Sequence, residues 1–352
     1  MGNPPQIAII IPTLDEAQVL PALLEQLAGQ QGVSLELIVA DGGSSDATVA
    51  QAEEAGATVV ETRRGRARQM NAAVRASTAP YLMFLHADCA LEGPYQLSEA
   101  LVALRDAAEV HGSRVAGHFA LRFARKPRGA ERLFRTLEQK SALNRPDTIN
   151  GDQGLLIARD YLAELGGFDE RLPFLEDARL ARDIFRTGRW IVLPGRLTTS
   201  ARRFEVEGPY RRYALMALMM GLHSAGADEY FARANEVYAA QSETGKLRLA
   251  PHLALLRSVL RDAGHRRAAQ ILWRAGRYTR NNCWQLFFWG DLALGRSRTP
   301  LLRFYDRVVD PAIDNAAFDV LGMLVGSGIY LGALPLACAL FERPQRRGRQ
   351  GV

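Results

Sequence analysis

Three short runs in this chain, IAIIIP (7–12), the last four residues of LELIVA (35–40) and YLMFL (81–85), place apolar residues on consecutive positions instead of alternate ones. A strand with one wet face alternates; a strand covered on both faces reads as a continuous apolar run. Between them lie stretches with helical spacing, AQVLPALLEQLAGQ (17–30), DATVAQAEEAG (46–56) and residues 66–76, and one further strand, ATVVET (57–62). Gly32, Gly42-Gly43, Gly56 and Pro80 punctuate the junctions. Alternation of this kind predicts an α/β fold with a mostly parallel central sheet flanked by helices. In such sheets ligands bind beyond the carboxyl ends of the strands.

Polar residues gather at those ends. Thr13-Leu14-Asp15-Glu16 follows the first strand, Asp41-Gly42-Gly43-Ser44-Ser45-Asp46 the second, and His86-Ala87-Asp88 the fourth. A carboxylate just beyond a buried strand is costly unless it is paired or used, so three such ends predict one site on one rim. DGGSSDAT (41–48) lacks the GxGxxG spacing of dinucleotide folds, which argues against hydride transfer on a nicotinamide. Asp41 suits a base edge or a ribose hydroxyl, or it merely starts the turn; Ser45 or Asp46 can cap the next helix. In RRGRARQMN (63–71), Arg66 and Arg68 open a helix, where backbone N–H groups face anions and guanidinium grips phosphate bidentately. The bland alternative is a solvated arginine face. Glu176-Asp177 opens the helix EDARLARDIFRTG, either as ordinary N-terminal acids or as a proton acceptor.

Past residue 110 the pattern changes. RVAGHFALRF (114–123) predicts a strand, ERLFRTLEQKSAL (131–143) a helix, and a short helix ends at Gly166-Gly167 before strands at 190–193 and 197–203. From about 209 the chain is mostly helical, which suggests a first domain over 1–208 and a helical region over 209–352. Residues 320–341 carry no charge and are long enough to cross a bilayer. Arg343, Arg346, Arg347 and Arg349 follow, against Arg303 and Arg307 before it, so the positive-inside rule keeps the tail in the cytosol. Pro335 and four glycines weaken a straight span, leaving a re-entrant or in-plane element, a crossing, or a buried helix pair. RRYALMALMMGL (211–222) reads either as an in-plane amphipathic helix or as ordinary packing.

The net charge of +6, with Arg supplying all but three of the 44 basic residues, points to anionic partners without choosing among them. Nothing beyond that charge favours nucleic acid. Cys89, Cys283 and Cys338 form no ligand or disulfide pattern and suit a reducing compartment. The opening MGNPPQIAIIIPTLDEA has no basic n-region, so a cytoplasmic catalytic part is expected, possible attachment to the inner membrane being left to 320–341.

Taken in order, IPTLDE, DGGSSDAT, the strand ending in Asp88, Gly166-Gly167-Phe168 and Glu176-Asp177 resemble glycosyltransferase family 2 over roughly residues 6–205. GRARQMN (65–71) and Gly151-Asp152-Gln153 are further similar to a bacterial subgroup associated with arsenosugar or radical-SAM genes. The resemblance implies a GT-A fold and an inverting enzyme. Such an enzyme transfers sugar from a nucleotide diphospho-sugar, UDP by first choice, to a small-molecule or lipid-linked acceptor, with Mn²⁺ or Mg²⁺ on the diphosphate. It implies Asp177 as base with Glu176 in support, and Asp88 as metal ligand. Thr13, Asp15, Glu16, Asp41, Arg66, Asn71, His86, Asp152, Gln153 and Arg203 are implied around nucleotide and donor, with Arg202 a second candidate beside Arg203. One departure stands out: His86 occupies the first position of the DxD-like motif, where the family has Asp. Two competing classes remain. One is a non-catalytic sugar-nucleotide binder or membrane scaffold. The other is a nucleotidyltransferase, which would want a Gly-rich loop with Arg and Lys after the first strand, where IPTLDEAQ supplies carboxylates.

Overall fold

Ile7 to Ile11 are completely buried on both faces of β1 (Ile7–Thr13), as a strand covered on both sides requires. β1 pairs in parallel with β2 (Leu35–Asp41) and with β4 (Tyr81–Phe84), and β2 continues to β3 (Thr58–Glu61). β5 (Val115–Ala124), β6 (Leu155–Ala158) and β7 (Arg189–Ser200) complete a seven-stranded sheet of order β3-β2-β1-β4-β6-β5-β7. β6 alone among these strands runs against the others, antiparallel to β4 and β5. This is a mixed α/β sheet, mostly parallel, as the apolar runs predicted.

The computed structural model describes residues 4–125, 129–172, 174–242, 247–296 and 298–341. The chain divides into two compact units after Arg202, a few residues before the expected boundary at 208. In the first unit the helices are α1 (Leu20–Ala28), α2 (Thr48–Glu54), α3 (Arg66–Ala76), α4 (Gln96–His111), α5 (Glu131–Ser141), α6 (Arg159–Glu164) and α7 (Glu176–Thr187). α1 buries Leu20, Leu23, Leu24 and Leu27, the stripe that helical spacing demands, each side chain contributing about 2 kcal/mol. On one face of the sheet, Ala8, Ile10, Ile38, Leu82 and Phe84 pack with Met70 and Ala73 of α3 and Leu180 and Ile184 of α7. That packing fixes α3 and α7, whose first turns carry Arg66 and Glu176-Asp177.

The two strands expected at 190–193 and 197–203 are one. β7 runs unbroken through Pro194-Gly195 because the register against β5 slips between His118 and Ala120, and the irregularity absorbs the proline. Residues 202–203 leave the sheet and begin α8 (Arg202–Glu207).

The second unit is helical: α9 (Pro209–Ser224), α10 (Asp228–Ser242), α11 (Leu249–Asp262), α12 (Gly264–Asn281), α13 (Trp284–Ala293), α14 (Pro300–Phe304), α15 (Asp310–Ile313), α16 (Ala316–Ser327) and α17 (Leu334–Phe341). No residue of RRYALMALMMGL is exposed, and Leu215, Leu218 and Leu222 are buried; ordinary packing, not an in-plane membrane helix, accounts for it. A widened turn at Gly328–Ala333 joins α16 to α17 ahead of Pro335, so that Ala316–Ala339 forms one continuous helix. The widened turn takes up the missing proline N–H. The arginines at 343, 346, 347 and 349 lie outside the described residues.

Candidate functional site

The ends of β1 and β2 form a double turn organised by Asp41, which is 1% exposed. Thr13 Oγ1 (2.9 Å) and Ser44 Oγ (2.5 Å) donate to its Oδ1, and the Gly43 and Ser44 N–H groups (2.8 and 2.7 Å) donate to Oδ2. Burial pushes this carboxyl's pKa up. The bonds from Ser44, Gly43 and Thr13 outweigh burial and hold it below the usual range. A base edge or ribose approaching Asp41 must therefore displace a donor such as Ser44 Oγ. Asp15 takes a left-handed backbone (φ 54) and receives both the N–H and the hydroxyl of Ser45 (2.7 and 3.1 Å). The Glu16 N–H donates to Thr48 Oγ1 (2.9 Å). Asp46 accepts from the N–H groups of Thr48 and Ala17 and so fastens the start of α2. Gln69 of α3, which the sequence reading passed over, ties the two strand ends together: its Nε2 donates to the carbonyls of Thr13 and Ala40, both at 2.8 Å.

Beyond β4 the chain turns through His86-Ala87-Asp88, closed by the Cys89 N–H donating to the His86 carbonyl (3.1 Å). His86 Nδ1 lies 2.9 Å from Asp152 Oδ1. A carboxylate only accepts, so Nδ1 carries the proton and Nε2 faces the site. Asp88 is half-buried and makes no hydrogen bond or ion pair among the described residues. Cys89 is buried, and burial followed by Asp88 and Asp152 raises its thiol pKa well above the ordinary value, so it is inert.

The third side of the rim is the start of α7. Leu175, in a left-handed conformation (φ 64), turns the chain sharply into the helix. Glu176 is 3% exposed, and its Oε1 has no hydrogen-bond donor; the nearest cation, Arg66 Nη1, stands at 3.7 Å. Burial first and Asp177 second raise the Glu176 pKa, against the pull of Arg66. Crowding by surrounding protein works against the charge on Arg66, whose side chain is still 41% exposed, but Glu176, Asp177, Asp152 and Asp88 together raise its pKa; four carboxylates act on this guanidinium. Asp177 accepts from the N–H groups of Gly151 (2.5 Å, Oδ2) and Ala178 (2.7 Å, Oδ1). Gly151 brings the parts together: a Cβ placed there would lie 3.0 Å from both Asp177 Oδ2 and His86 Nε2.

Arg66, His86, Gly151 and Asp177 line one cavity, floored by Phe84, Leu155 and Trp190. Two expected site residues point elsewhere. The Asn71 amide is spent on the backbone of Phe168, accepting its N–H (3.0 Å) and donating to its carbonyl (2.9 Å), with Glu170 as a second acceptor; it clamps a loop. Gln153 is 1% exposed and donates to the Thr148 carbonyl, turned into the core beside His118, because the short helical turn Gly151–Gln153 splays it away from its neighbour Asp152. Arg203 belongs to the second unit. Arg68 reaches Glu170 at 3.6 Å rather than the cavity.

Among the described residues no three His, Cys, Asp or Glu side chains form a ready-made metal cage. The donor set nonetheless fits a hard cation of the kind that uses one or two carboxylates and completes its shell with substrate phosphates and water. Asp88, with no hydrogen bond or ion pair among the described residues, is the carboxylate such a cation would take first; His86 is committed to Asp152 and offers only Nε2.

Residues 8–166 match the profile of glycosyl transferase family 2. A PGL/p-HBAD biosynthesis glycosyltransferase of Mycobacterium bovis is 39% identical over 94 residues, 25% of this chain and 37% of that protein. Glycosyltransferase AglJ of Haloferax volcanii is 30% identical over 122 residues, 34% of this chain and 38% of that one. The matched stretch thus spans little more than a third of either relative. A mannosyltransferase from Pyrobaculum calidifontis, solved in complex with GDP-Man and Mn²⁺, shares the fold with a TM-score of 0.51 at 19% identity, covering 87% of this chain and 88% of that one.

Proposed function

Residues 8–166 form a glycosyl transferase family 2 domain, and from there we propose that the chain transfers a sugar from a nucleotide diphospho-sugar to an acceptor hydroxyl with inversion at the anomeric carbon. The observation that carries this reading is the convergence of Arg66, His86 and Asp177 on one cavity at the strand ends, with Gly151 between the last two. The paired turns at Thr13–Glu16 and Asp41–Asp46 cradle the nucleoside, with Asp41 shaping the cradle. Arg66 swings from Glu176 to the diphosphate, where a guanidinium binds two oxygens at once. Asp88, with Asp152, would hold Mn²⁺ or Mg²⁺. Such a cation, when bound, neutralises charge building on the leaving diphosphate.

Asp177 takes the acceptor's proton as that oxygen attacks the anomeric carbon. The bond from sugar to diphosphate breaks on the opposite face, and the nucleoside diphosphate departs with the electron pair. No covalent intermediate forms. His86, held by Asp152, presents Nε2 to a donor hydroxyl or phosphate oxygen. The free thiols fit a cytoplasmic setting, and the acceptor is a small molecule or a lipid-linked hydroxyl.

The test uses the full chain against a panel of nucleotide sugars with Mn²⁺, UDP-sugars first and GDP-mannose next. Thermal shift reads binding and release of nucleoside diphosphate reads turnover. Binding and turnover in the wild type, with binding but no turnover in Asp177→Asn, support the proposal. Binding without turnover in both makes the chain a non-catalytic sugar-nucleotide binder.

A further inference from the structure

The helix Ala316–Ala339 in the second unit is 24 residues long with a mean hydropathy of 1.8, yet only 6% of its most apolar stretch is buried. The core helix of a soluble protein with that composition would be mostly covered. One side is packed. Gly322 meets the backbone of Gly276 on α12 so closely that a Cβ on either would collide with the other helix. Beside them Asp319 pairs with Arg280 at 2.7 Å, both buried. The other side is bare: Val320, Leu321, Leu324 and Val325 are exposed, as is Leu336 beyond the widened turn, and the spacing of the first four sets them along one face. A contiguous apolar stripe of this length on a monomer marks an interaction surface.

Charge identifies the occupant. α12, GHRRAAQILWRAGRYTRN, holds no acidic residue. Its Arg266, Arg274 and Arg277 are exposed, and the first two enter no ion pair among the described residues. An apolar face bordered by a cationic helix matches a surface that is hydrocarbon beneath and phosphate above. A second copy seated symmetrically on the same face would set these arginines against its own. A full crossing would carry the α12 arginines, locked to this helix through Gly276 and Arg280, into hydrocarbon, where they are strongly disfavoured.

We propose that the second unit docks on an anionic bilayer through the exposed face of Ala316–Ala339, which lies in the headgroup plane with the α12 arginines on lipid phosphates. The experiment is flotation of the full chain with sealed vesicles of phosphatidylcholine containing roughly one-third phosphatidylglycerol, compared with phosphatidylcholine alone. The wild type floats with the anionic vesicles, and trypsin added outside still cleaves the arginine-rich tail. Binding falls at least tenfold in the triple variant Leu321→Ser, Leu324→Ser, Val325→Ser, whose positions are exposed on the side turned from Gly322 and α12. It falls several-fold in Arg266→Gln with Arg274→Gln; unchanged melting curves certify that both variants fold. Absence of flotation overturns the proposal, whether or not light scattering shows dimers. So does flotation that the variants leave untouched, or a tail protected inside the vesicles as a crossing would leave it.

Discussion

The turn at Asp41 and the rim at Glu176 use the same chemistry, a carboxylate buried to within a few per cent of completely, and arrive at opposite states. Asp41 receives four donors and its pKa moves down. Glu176 has an oxygen with no donor, faces Arg66 only at 3.7 Å, and its pKa moves up. A carboxylate that shapes a loop is saturated by its own chain. A rim that must receive a diphosphate and a proton keeps its groups under-satisfied, because any donor spent internally is one the substrate has to displace. Arg66, loosely held, and Asp88, with no hydrogen bond or ion pair among the described residues, belong to the second kind.

The sharpest break of this comparison is Asp177→Asn. On the proposed mechanism it removes the proton acceptor and lowers turnover by roughly 10²- to 10⁴-fold, with nucleotide-sugar binding by thermal shift unchanged. Asparagine offers one acceptor oxygen where Gly151 and Ala178 supply two N–H donors, so a melting curve must accompany the rate. A rate within threefold of wild type would move the base elsewhere on the rim.

Asp41→Ala tests the saturated side. Losing four bonds to a buried carboxylate costs on the order of 3 kcal/mol, read by urea unfolding. Its pH signature follows from the depressed pKa. The folded value lies below the ordinary 3.8, so the stabilisation is complete above that value and is lost as pH falls through the folded one. In Asp41→Asn that acid-side loss disappears. An Asp41→Ala protein of wild-type stability would show that the turn is held by something other than its carboxylate.

How much of this was legible depends on the range of the forces involved. Apolar runs betray β1, β2 and β4 because double coverage dictates composition directly, and α3 is read to the residue because its local pattern and boundaries agree. β6 escaped: four residues, LLIA, look like a fragment of any core element, and only pairing with β4 and β5 fixes their direction. α4 was likewise unread. At the site, the sequence told which strand ends converge but not which way each side chain turns. Asn71 fits a motif, but its amide is claimed by Phe168, 97 positions away. Gln153 and Asp152 are neighbours in sequence and diverge in space. Partners brought in by tertiary packing leave no trace in local spacing.

Gly151→Ala sharpens the comparison from another side. The added Cβ would press at 3.0 Å on Asp177 Oδ2 and His86 Nε2, both ends of movable side chains, so each shifts by a few tenths of an ångström. Catalytic geometry feels such displacements more than stability does. Turnover should fall about tenfold while unfolding free energy changes by about 1 kcal/mol or less. Equal losses in both, measured on the same preparation, would make Gly151 a packing glycine only.

Glu176→Gln is the smallest and most diagnostic change. Because burial and the neighbouring Asp177 raise the carboxyl's pKa above its ordinary 4.5, the folded state binds a proton more tightly than the unfolded one. The sign is opposite to that at Asp41: ionising Glu176 opposes folding, so stability rises as pH falls through the raised folded pKa and levels off below the unfolded value. Glutamine has no charge to bury, so at neutral pH the variant should be more stable than wild type, by on the order of 1 kcal/mol. The gain should vanish below about pH 4.5, where the wild-type carboxyl is already neutral. Arg66, released from its partner, should bind nucleoside diphosphate more tightly. A variant less stable than wild type at pH 7 would mean that the Arg66 contact at 3.7 Å outweighs the burial of the charge, and that the rim is an ion-paired structure and not a poised one.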